Sequence, residues 1–150
     1  MLTDALRTAR AELVADHQSR GVDFGVALAE LLDGAMRHAL GTVERSSGWA
    51  IIALGSYARR ELTPGSDVDV MLLHPGGRRG APTADDAGAL WYPLWDAGFT
   101  LGQSVRTVKE ALAIADDELD ALTALLDVRL VAGDPEIATD LARRVRDLAP

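Results

Sequence analysis

Cysteine is missing from this 150-residue sequence, and lysine occurs only as Lys109. Without cysteine the chain has no disulfide framework, no thiolate metal cluster and no thiol nucleophile. It also lacks any run of about 18 apolar residues, the length that spans a bilayer, and its N-terminal residues do not follow the order of a signal peptide. We therefore expect a cytoplasmic protein that has no membrane segment.

Positive charge is also in short supply, since 23 acidic residues oppose 15 basic ones and the formal net charge is −8. A surface that binds nucleic acid needs an excess of basic residues to displace counterions, so this balance argues against general nucleic-acid binding. Hydrophobic residues make up 48 % of the chain. That fraction and the length predict one domain, residues 1–150, with a substantial core.

What the sequence does contain is a short polar segment between two apolar runs. The first run ends at Gly55 and Ser56, and the second begins with Asp67, Val68 and Asp69. Both runs have the length and composition of buried strands. Each polar motif therefore lies at a strand end, where the sites of α/β proteins tend to gather.

The two aspartates are spaced so that they can share a ligand. Side chains alternate along a strand, so Asp67 and Asp69 project from one face. Two adjacent carboxylates repel each other unless a cation keeps both ionised, and ligands that are all oxygen suit Mg²⁺ or Mn²⁺. We expect both aspartates to be metal ligands and catalytic, with the phosphates of a nucleoside triphosphate completing the metal coordination.

The residues after the first apolar run suit a phosphate. Gly55 lets the backbone turn and lets a phosphate come close, while Ser56 offers a hydroxyl and an amide N–H. Arg59 and Arg60 follow, and an arginine fork matches phosphate geometry in a two-point contact. We expect Gly55, Ser56 and at least one of these arginines to bind the phosphates of the nucleotide.

The order of these motifs resembles a known superfamily. A strand, Gly-Ser, a ten-residue connection and Asp-x-Asp opening a second strand are typical of the nucleotidyltransferases related to DNA polymerase β. Together with residues 55–62 (GSYARREL), three further segments resemble the N-terminal domain of the PII uridylyltransferase/uridylyl-removing enzyme family. They are residues 91–98 (WYPLWDAG), 102–107 (GQSVRT) and 125–134 (LLDVRLVAGD). The likeness extends from about residue 45 to 146.

The resemblance implies an activity and an acceptor. It implies transfer of UMP from UTP, or of AMP from ATP, to a tyrosine hydroxyl of the PII nitrogen-signalling protein, with release of pyrophosphate. It also implies that Gly55 and Ser56 contact phosphate and that Asp67 and Asp69 bind the metal. Arg59 matches a position in the loop that follows.

The loop departs from the usual pattern of that family. Ser56, Ala58 and Arg60 stand where glycines are common. The wider superfamily prefers Gly-Ser, so Ser56 fits. Ala58 and Arg60 are each candidates for a positive φ, a conformation that costs a residue with a side chain about 1 kcal/mol or more.

The third predicted strand departs from the pattern as well. Polymerase β-like folds often carry a third carboxylate there, whereas this chain offers Gln103 and Ser104. Their neutral oxygens can coordinate or orient a water, so we keep both as possible contributors to the site. Arg106 follows them and either contacts phosphate or pairs with Asp127.

The expected architecture is an α+β fold of the polymerase β-like kind. It consists of a small mixed β-sheet with helices against one side and the site at an open edge. We divide the chain into N-terminal helices 1–46, a catalytic core 47–132 and a C-terminal helix 135–148. Within the core we predict the third strand at 99–106 and a helix at 117–132.

Other functions remain open at this point. Enzymes of the family that this chain resembles continue into a hydrolase domain and two sensing domains. We therefore expect this chain to be a fragment or a truncated relative. One alternative is a non-catalytic module that binds a nucleotide or a partner. Another is a small stand-alone nucleotidyltransferase with a different acceptor. The choice between UTP and ATP is also open.

Overall fold

The computed structural model describes residues 2–20 and 23–148, with only the backbone for 17–20. The other residues of the predicted domain 1–150 lie outside this description. The helices are α1 Leu2–Arg20, α2 Phe24–Gly41, α3 Gly55–Ala58, α4 Gly77–Gly80, α5 Ala84–Asp96, α6 Val108–Asp117, α7 Leu119–Leu126 and α8 Pro135–Leu148. The strands are β1 Ala50–Ala53, β2 Val68–Leu73, β3 Leu101–Arg106 and β4 Arg129–Gly133. Both apolar runs beside the polar motifs are therefore strands, as predicted.

The strands form one mixed sheet in the order β3-β2-β1-β4. β1 is antiparallel to both β2 and β4, whereas β2 and β3 are parallel. A parallel pair needs a crossover that returns the chain to the end of the sheet where it started, and α5 supplies that crossover. The predicted α+β fold, a small mixed sheet flanked by helices, is confirmed.

Helices cover both faces of the sheet, and β2 has apolar side chains on each face. Val70 and Leu72 pack with side chains of α1, α2 and α5 in the larger core. Met71 and Leu73 pack with α6, α7 and α8 in a second core on the other face. The expectation of helices against only one side was therefore wrong. None of the described helices has the combination of length and apolarity needed to cross a membrane.

The predicted helix 117–132 was also wrong in its second half. α7 ends at Leu126, and Arg129–Gly133 is β4, which pairs with β1. The Ala and Leu content of this segment favours a helix, but the edge of β1 needs a partner for its backbone groups, and pairing there overrides local propensity. Gly133 ends the strand with a φ of +98°, and a Cβ at this position would lie 2.2 Å from the Trp49 carbonyl oxygen.

Capping boxes fix the helices on either side of β3. Thr83 Oγ1 accepts a hydrogen bond from the Asp86 amide, and the Asp86 carboxylate accepts one from the Thr83 amide. Thr107 and Glu110 make the same pair of bonds at the start of α6. Each box satisfies amides that a helix start leaves without intrahelical partners. These fixed boundaries help to hold β3 beside β2, where the candidate site lies.

Candidate active site

The carboxylate of Asp69 lies between two glycines from neighbouring elements. A Cβ built on Gly55 would lie 3.4 Å from Asp69 Oδ2, and one built on Gly102 would lie 2.4 Å from Asp69 Oδ1. A side chain at position 102 would therefore overlap the carboxylate in its present position. The two glycines leave Asp69 open to a ligand at the end of the sheet.

The sheet register explains why these residues meet. The parallel pairing of β2 and β3 places Asp69 directly beside Gly102. On the other side, the Leu54 amide donates a 2.9 Å hydrogen bond to the Asp69 carbonyl, which holds the end of β1 against the start of β2. Three strands therefore meet at a pocket of about 270 Å³. It is lined by Leu54, Gly55, Asp69, Val70, Gly102, Gln103, Ser104 and Ala124.

The carboxylate of Asp69, which lines this pocket, is subject to the negative charge of Asp67. Burial raises the pKa of Asp69 above its ordinary value, and the charge of Asp67 raises it further. Asp67 is exposed and precedes the first residue of β2. The ionised state of Asp69 is therefore disfavoured, and a bound divalent cation would reverse that preference.

The donor set fits a hard cation that keeps other ligands. In the part of the chain that the structure describes, no three residues among His, Cys, Asp and Glu gather as a metal-binding group. Two carboxylates without nitrogen or sulfur ligands do not suit zinc, which usually takes three or four protein ligands. They do suit Mg²⁺, which is commonly held by one or two carboxylates and takes its remaining ligands from phosphates and water.

The Gly-Ser motif forms the first turn of α3 beside Asp69. Gly55 has a φ of +56°, in the region that favours glycine. The Leu54 carbonyl accepts from the Ala58 amide and the Gly55 carbonyl accepts from the Arg59 amide. The amides of Gly55 and Ser56 open this turn, so they have no carbonyl partner within it. Gly55 lines the pocket together with Asp69, so a phosphate bound there would lie beside the start of this turn.

The two loop arginines are both at the surface, but among the described residues only Arg59 has an ion-pair partner. Arg59 is paired with Glu61 at 3.1 Å and with Asp127 at 3.0 Å. Both hydrogen bonds raise the pKa of Arg59, and the one to Glu61 has the larger effect. Asp127 therefore pairs with Arg59 and not with Arg106. Arg60 has a φ of +58°, which confirms the positive φ considered for this position.

The third-strand residues divide between the two faces and the two ends of β3. Ser104 lies opposite Met71 and thus on the same face as Asp69, whereas Gln103 lies opposite Val70. Both line the pocket. Arg106 pairs with Leu73 at the other end of β2. It is four residues, about 13 Å, along the strand from Gly102. The structure thus brings Gly55, Asp69, Gln103 and Ser104 together and places Arg106 away from them. Ser56 follows Gly55 in α3, and Asp67 lies one residue before β2.

Sequence reasoning did not identify the contacts that four residues make at the pocket and at α3. Gly102 was quoted only as part of a motif, although it makes room for Asp69. Asp33, Tyr57 and Arg129 form a buried polar group beside α3. One signal was available in the sequence, because Asp33 interrupts the apolar face of α2, and a carboxylate on such a face needs a partner.

Comparison with known proteins agrees with this geometry. A family model described as a nucleotidyltransferase domain matches residues 36–134. The chain is similar to the bifunctional uridylyltransferase/uridylyl-removing enzyme of Mycobacterium tuberculosis strain H37Rv, with 48 % identity over 67 % of the chain. It is also similar to the enzymes of that name from Streptomyces coelicolor, with 40 % identity over 91 % of the chain, and Erythrobacter litoralis, with 36 % over 96 %.

The chain spans only 12 % to 17 % of the length of these three relatives. The family match, in contrast, includes β1 to β4 and every residue that lines the pocket. Because the match covers well over half of the sequence and contains the whole sheet, the chain belongs to the nucleotidyltransferase domain family.

Proposed function

We propose that this domain transfers UMP from UTP to a tyrosine hydroxyl of a PII signalling protein and releases pyrophosphate. The observation that carries the proposal is the Asp69 carboxylate, open between Gly55 and Gly102 and next to the first turn of α3. We infer that Asp69, with Asp67 before it in the chain, takes a cation here and that the backbone at Gly55 takes a phosphate. The similarity to uridylyltransferases supports UTP as the donor, and the acceptor follows from the family resemblance.

Asp67 and Asp69 would hold Mg²⁺ or Mn²⁺ in this proposal. When bound, the ion would neutralise phosphate charge and polarise the reacting phosphoryl group. Gly55 and Ser56 donate hydrogen bonds to phosphate oxygens through the start of α3, and Ser56 can add its hydroxyl. These residues hold the triphosphate so that the tyrosine oxygen attacks the α-phosphorus. The bond from that phosphorus to the pyrophosphate oxygen breaks, and the proton of the tyrosine hydroxyl passes to water.

The surface arginines supply charge that the chain as a whole lacks. Arg59 is 45 % exposed at its side chain, as is its partner Asp127. Ion pairs this exposed contribute little to stability, so a triphosphate can compete for Arg59 at little cost. Arg60 has no such pair among the described contacts and lies one residue further along the loop. Both can attract the nucleotide against the net charge of −8.

The acceptor side of the pocket is less charged. Gln103 and Ser104 line it with a neutral amide and a hydroxyl, and Asp69 is the one carboxylate that the described residues contribute to the lining. We infer that Ser104, which shares a face with Asp69, orients the incoming hydroxyl by a hydrogen bond. Positioning would then contribute more to the rate than a dedicated base on this strand.

The test is a transfer assay with purified PII and UTP labelled at either the α- or the γ-phosphate. We expect label on PII from α-labelled UTP only, and none with EDTA or with PII whose acceptor tyrosine is phenylalanine. The Asp69→Asn variant should lose the transfer. Arg143→Lys, on the exposed surface of α8, should keep it and serves as the matched control. Absence of label from a folded wild-type chain, with UTP and with ATP, would contradict the proposal.

A further inference from the structure

A buried group of charged and aromatic residues lies behind α3, away from the pocket. Arg129 Nη1 donates to Asp33 Oδ2 at 2.7 Å, and the Tyr57 hydroxyl donates to Asp33 Oδ1 at 2.6 Å. The side chains of Asp33 and Arg129 are 13 % and 15 % exposed, and Tyr57 is fully buried. The partners come from α2, α3 and the start of β4, elements that are far apart in the sequence.

The same guanidinium also binds the backbone of α3. Arg129 Nε donates to the Ala58 carbonyl and Nη2 to the Tyr57 carbonyl, both at 3.1 Å. The guanidinium carbon lies 5.1 Å from the centre of the Tyr57 ring. A single side chain thus binds both carbonyls that end this helix, although the Tyr57 carbonyl also accepts from the Arg60 amide. α3 has four residues, too few to be stable alone, so its position depends on such contacts.

A second attachment holds the loop that follows α3. A Cβ on Gly25 of α2 would lie 2.5 Å from the Arg60 carbonyl oxygen and 3.1 Å from the Leu62 amide nitrogen. The loop backbone therefore rests directly on the backbone of α2. Leu62 is buried in the larger core at this point. α2 supports the segment from Gly55 to Leu62 at two places, one polar and one by close packing.

The polar attachment is poorly explained as a source of stability alone. Taking two charges out of water offsets much of their attraction, and a buried ion pair is often replaceable by apolar residues without loss of stability. What an apolar pair cannot do is bind two backbone carbonyls in a fixed direction. The planar guanidinium of Arg129 can, because its donors form a rigid fork.

We propose that Asp33, Tyr57 and Arg129 are positioning residues for nucleotide binding. They hold the C-terminal end of α3 and thereby the position of Gly55, which lines the pocket beside Asp69. The proposal rests on the proposed function of the pocket. Asp33 acts on the nucleotide only through Arg129 and Tyr57, and none of the three lines the pocket.

The first test measures the free protein and needs no nucleotide. Amide hydrogen exchange is compared between wild type and Arg129→Lys, which keeps the charge beside Asp33 but loses the fork. We expect the Ala58 and Arg59 amides, which close the turns of α3, to exchange at least about tenfold faster, the effect of one lost charge-assisted hydrogen bond. Leu72 in β2 should be unchanged. Equal exchange at Ala58 and Arg59 in the two proteins would overturn the proposal.

The second test separates positioning from stability. The double variant Asp33→Leu, Arg129→Met replaces the ion pair with apolar residues, and Tyr57→Phe removes one hydroxyl. We expect the double variant to have a dissociation constant for magnesium UTP at least about tenfold higher than wild type even where its melting temperature is unchanged. Tyr57→Phe, which keeps the Arg129 contacts, should show a smaller increase. Arg143→Lys on α8 is the control and should bind as wild type does.

The outcomes distinguish the two proposals. A stable double variant that binds magnesium UTP as tightly as wild type overturns the positioning role. If the double variant does not fold, Arg129→Lys decides in its place, by its hydrogen exchange and by its own affinity for magnesium UTP. If the wild-type protein binds no nucleotide but the Ala58 and Arg59 amides exchange faster in Arg129→Lys, the proposed function is contradicted. The anchoring of α3 by Arg129 is then still supported.

Discussion

Replacing Gly102 with alanine is the substitution that tests the candidate site most finely. The φ of Gly102 is outside the left-handed region, so the strand backbone accepts an alanine without strain. The new Cβ would lie 2.4 Å from Asp69 Oδ1, and ordinary contact begins at 3.4 Å. The carboxylate must therefore retreat by about 1 Å. Because the overlapping atom is the end of a side chain, this movement is possible without disrupting the sheet.

The size of that movement sets the expected loss. Mg²⁺ holds its oxygen ligands at about 2.0–2.1 Å with little tolerance, so a ligand that moves by about 1 Å no longer binds it well. A misplacement of about 1 Å at a reacting centre can lower a rate about a hundredfold. Stability should change by less than about 1 kcal/mol, because alanine removes backbone freedom from the unfolded chain while it displaces Asp69.

The assay combines a thermal melt with calorimetric titration of magnesium UTP and with the PII labelling reaction. Gly102→Ala should melt close to wild type, bind the nucleotide weakly and transfer UMP about a hundredfold more slowly. Gly34→Ala is the matched control, because a Cβ at Gly34 meets nothing within 4 Å. Magnesium-dependent binding and transfer at wild-type levels in Gly102→Ala would refute the inference that Asp69 acts from its present position.

Three further predictions concern stability and pH. Burial and the charge of Asp67 raise the pKa of Asp69, so the charged form of Asp69 destabilises the fold once the pH is above that raised pKa. Asp69→Asn should therefore raise the melting temperature at pH 7.5. The same substitution should abolish magnesium-dependent binding. The pKa of His74 is lowered from 6.5 by burial, and its Nδ1 accepts a 3.0 Å hydrogen bond from the Gly76 amide. Stability should therefore fall as the pH drops below about 6.5, and His74→Asn, which keeps an acceptor but does not titrate, should melt with less dependence on pH between 7.5 and 5.5. Arg60→Gly should raise the melting temperature by relieving about 1 kcal/mol of strain at its φ of +58°, and an unchanged or lower melting temperature would contradict this.

Local sequence was enough to predict the strands beside the two motifs and the carboxylate at the start of β2. The apolar runs are short, bounded by turn residues and followed by polar groups, and these signals do not depend on distant contacts. The positive φ at Arg60 could also be predicted, because Arg60 stands where glycine is common in the family that the chain resembles. The same local reasoning failed at Arg129–Gly133, where pairing with β1 decides the structure.

The parts of the site that sequence could not predict depend on contacts between distant segments. Gly102 matters only because the parallel register places it beside Asp69. Asp33 and Arg129 are 96 positions apart, and nothing in either local sequence specifies the other. Side-chain direction likewise required the sheet, which shows Ser104 on the face of Asp69 and Arg106 at the opposite end of the strand.

The central claim is that Asp67 and Asp69 form a magnesium-dependent nucleotide site, and calorimetric titration tests it most directly. The wild-type chain and the double variant Asp67→Asn, Asp69→Asn are each titrated with UTP and with ATP, with and without Mg²⁺. We predict that wild type binds UTP only when Mg²⁺ is present and that the folded double variant does not bind it. Magnesium-dependent binding that persists in the double variant, or a folded wild type that binds neither nucleotide, would contradict the claim.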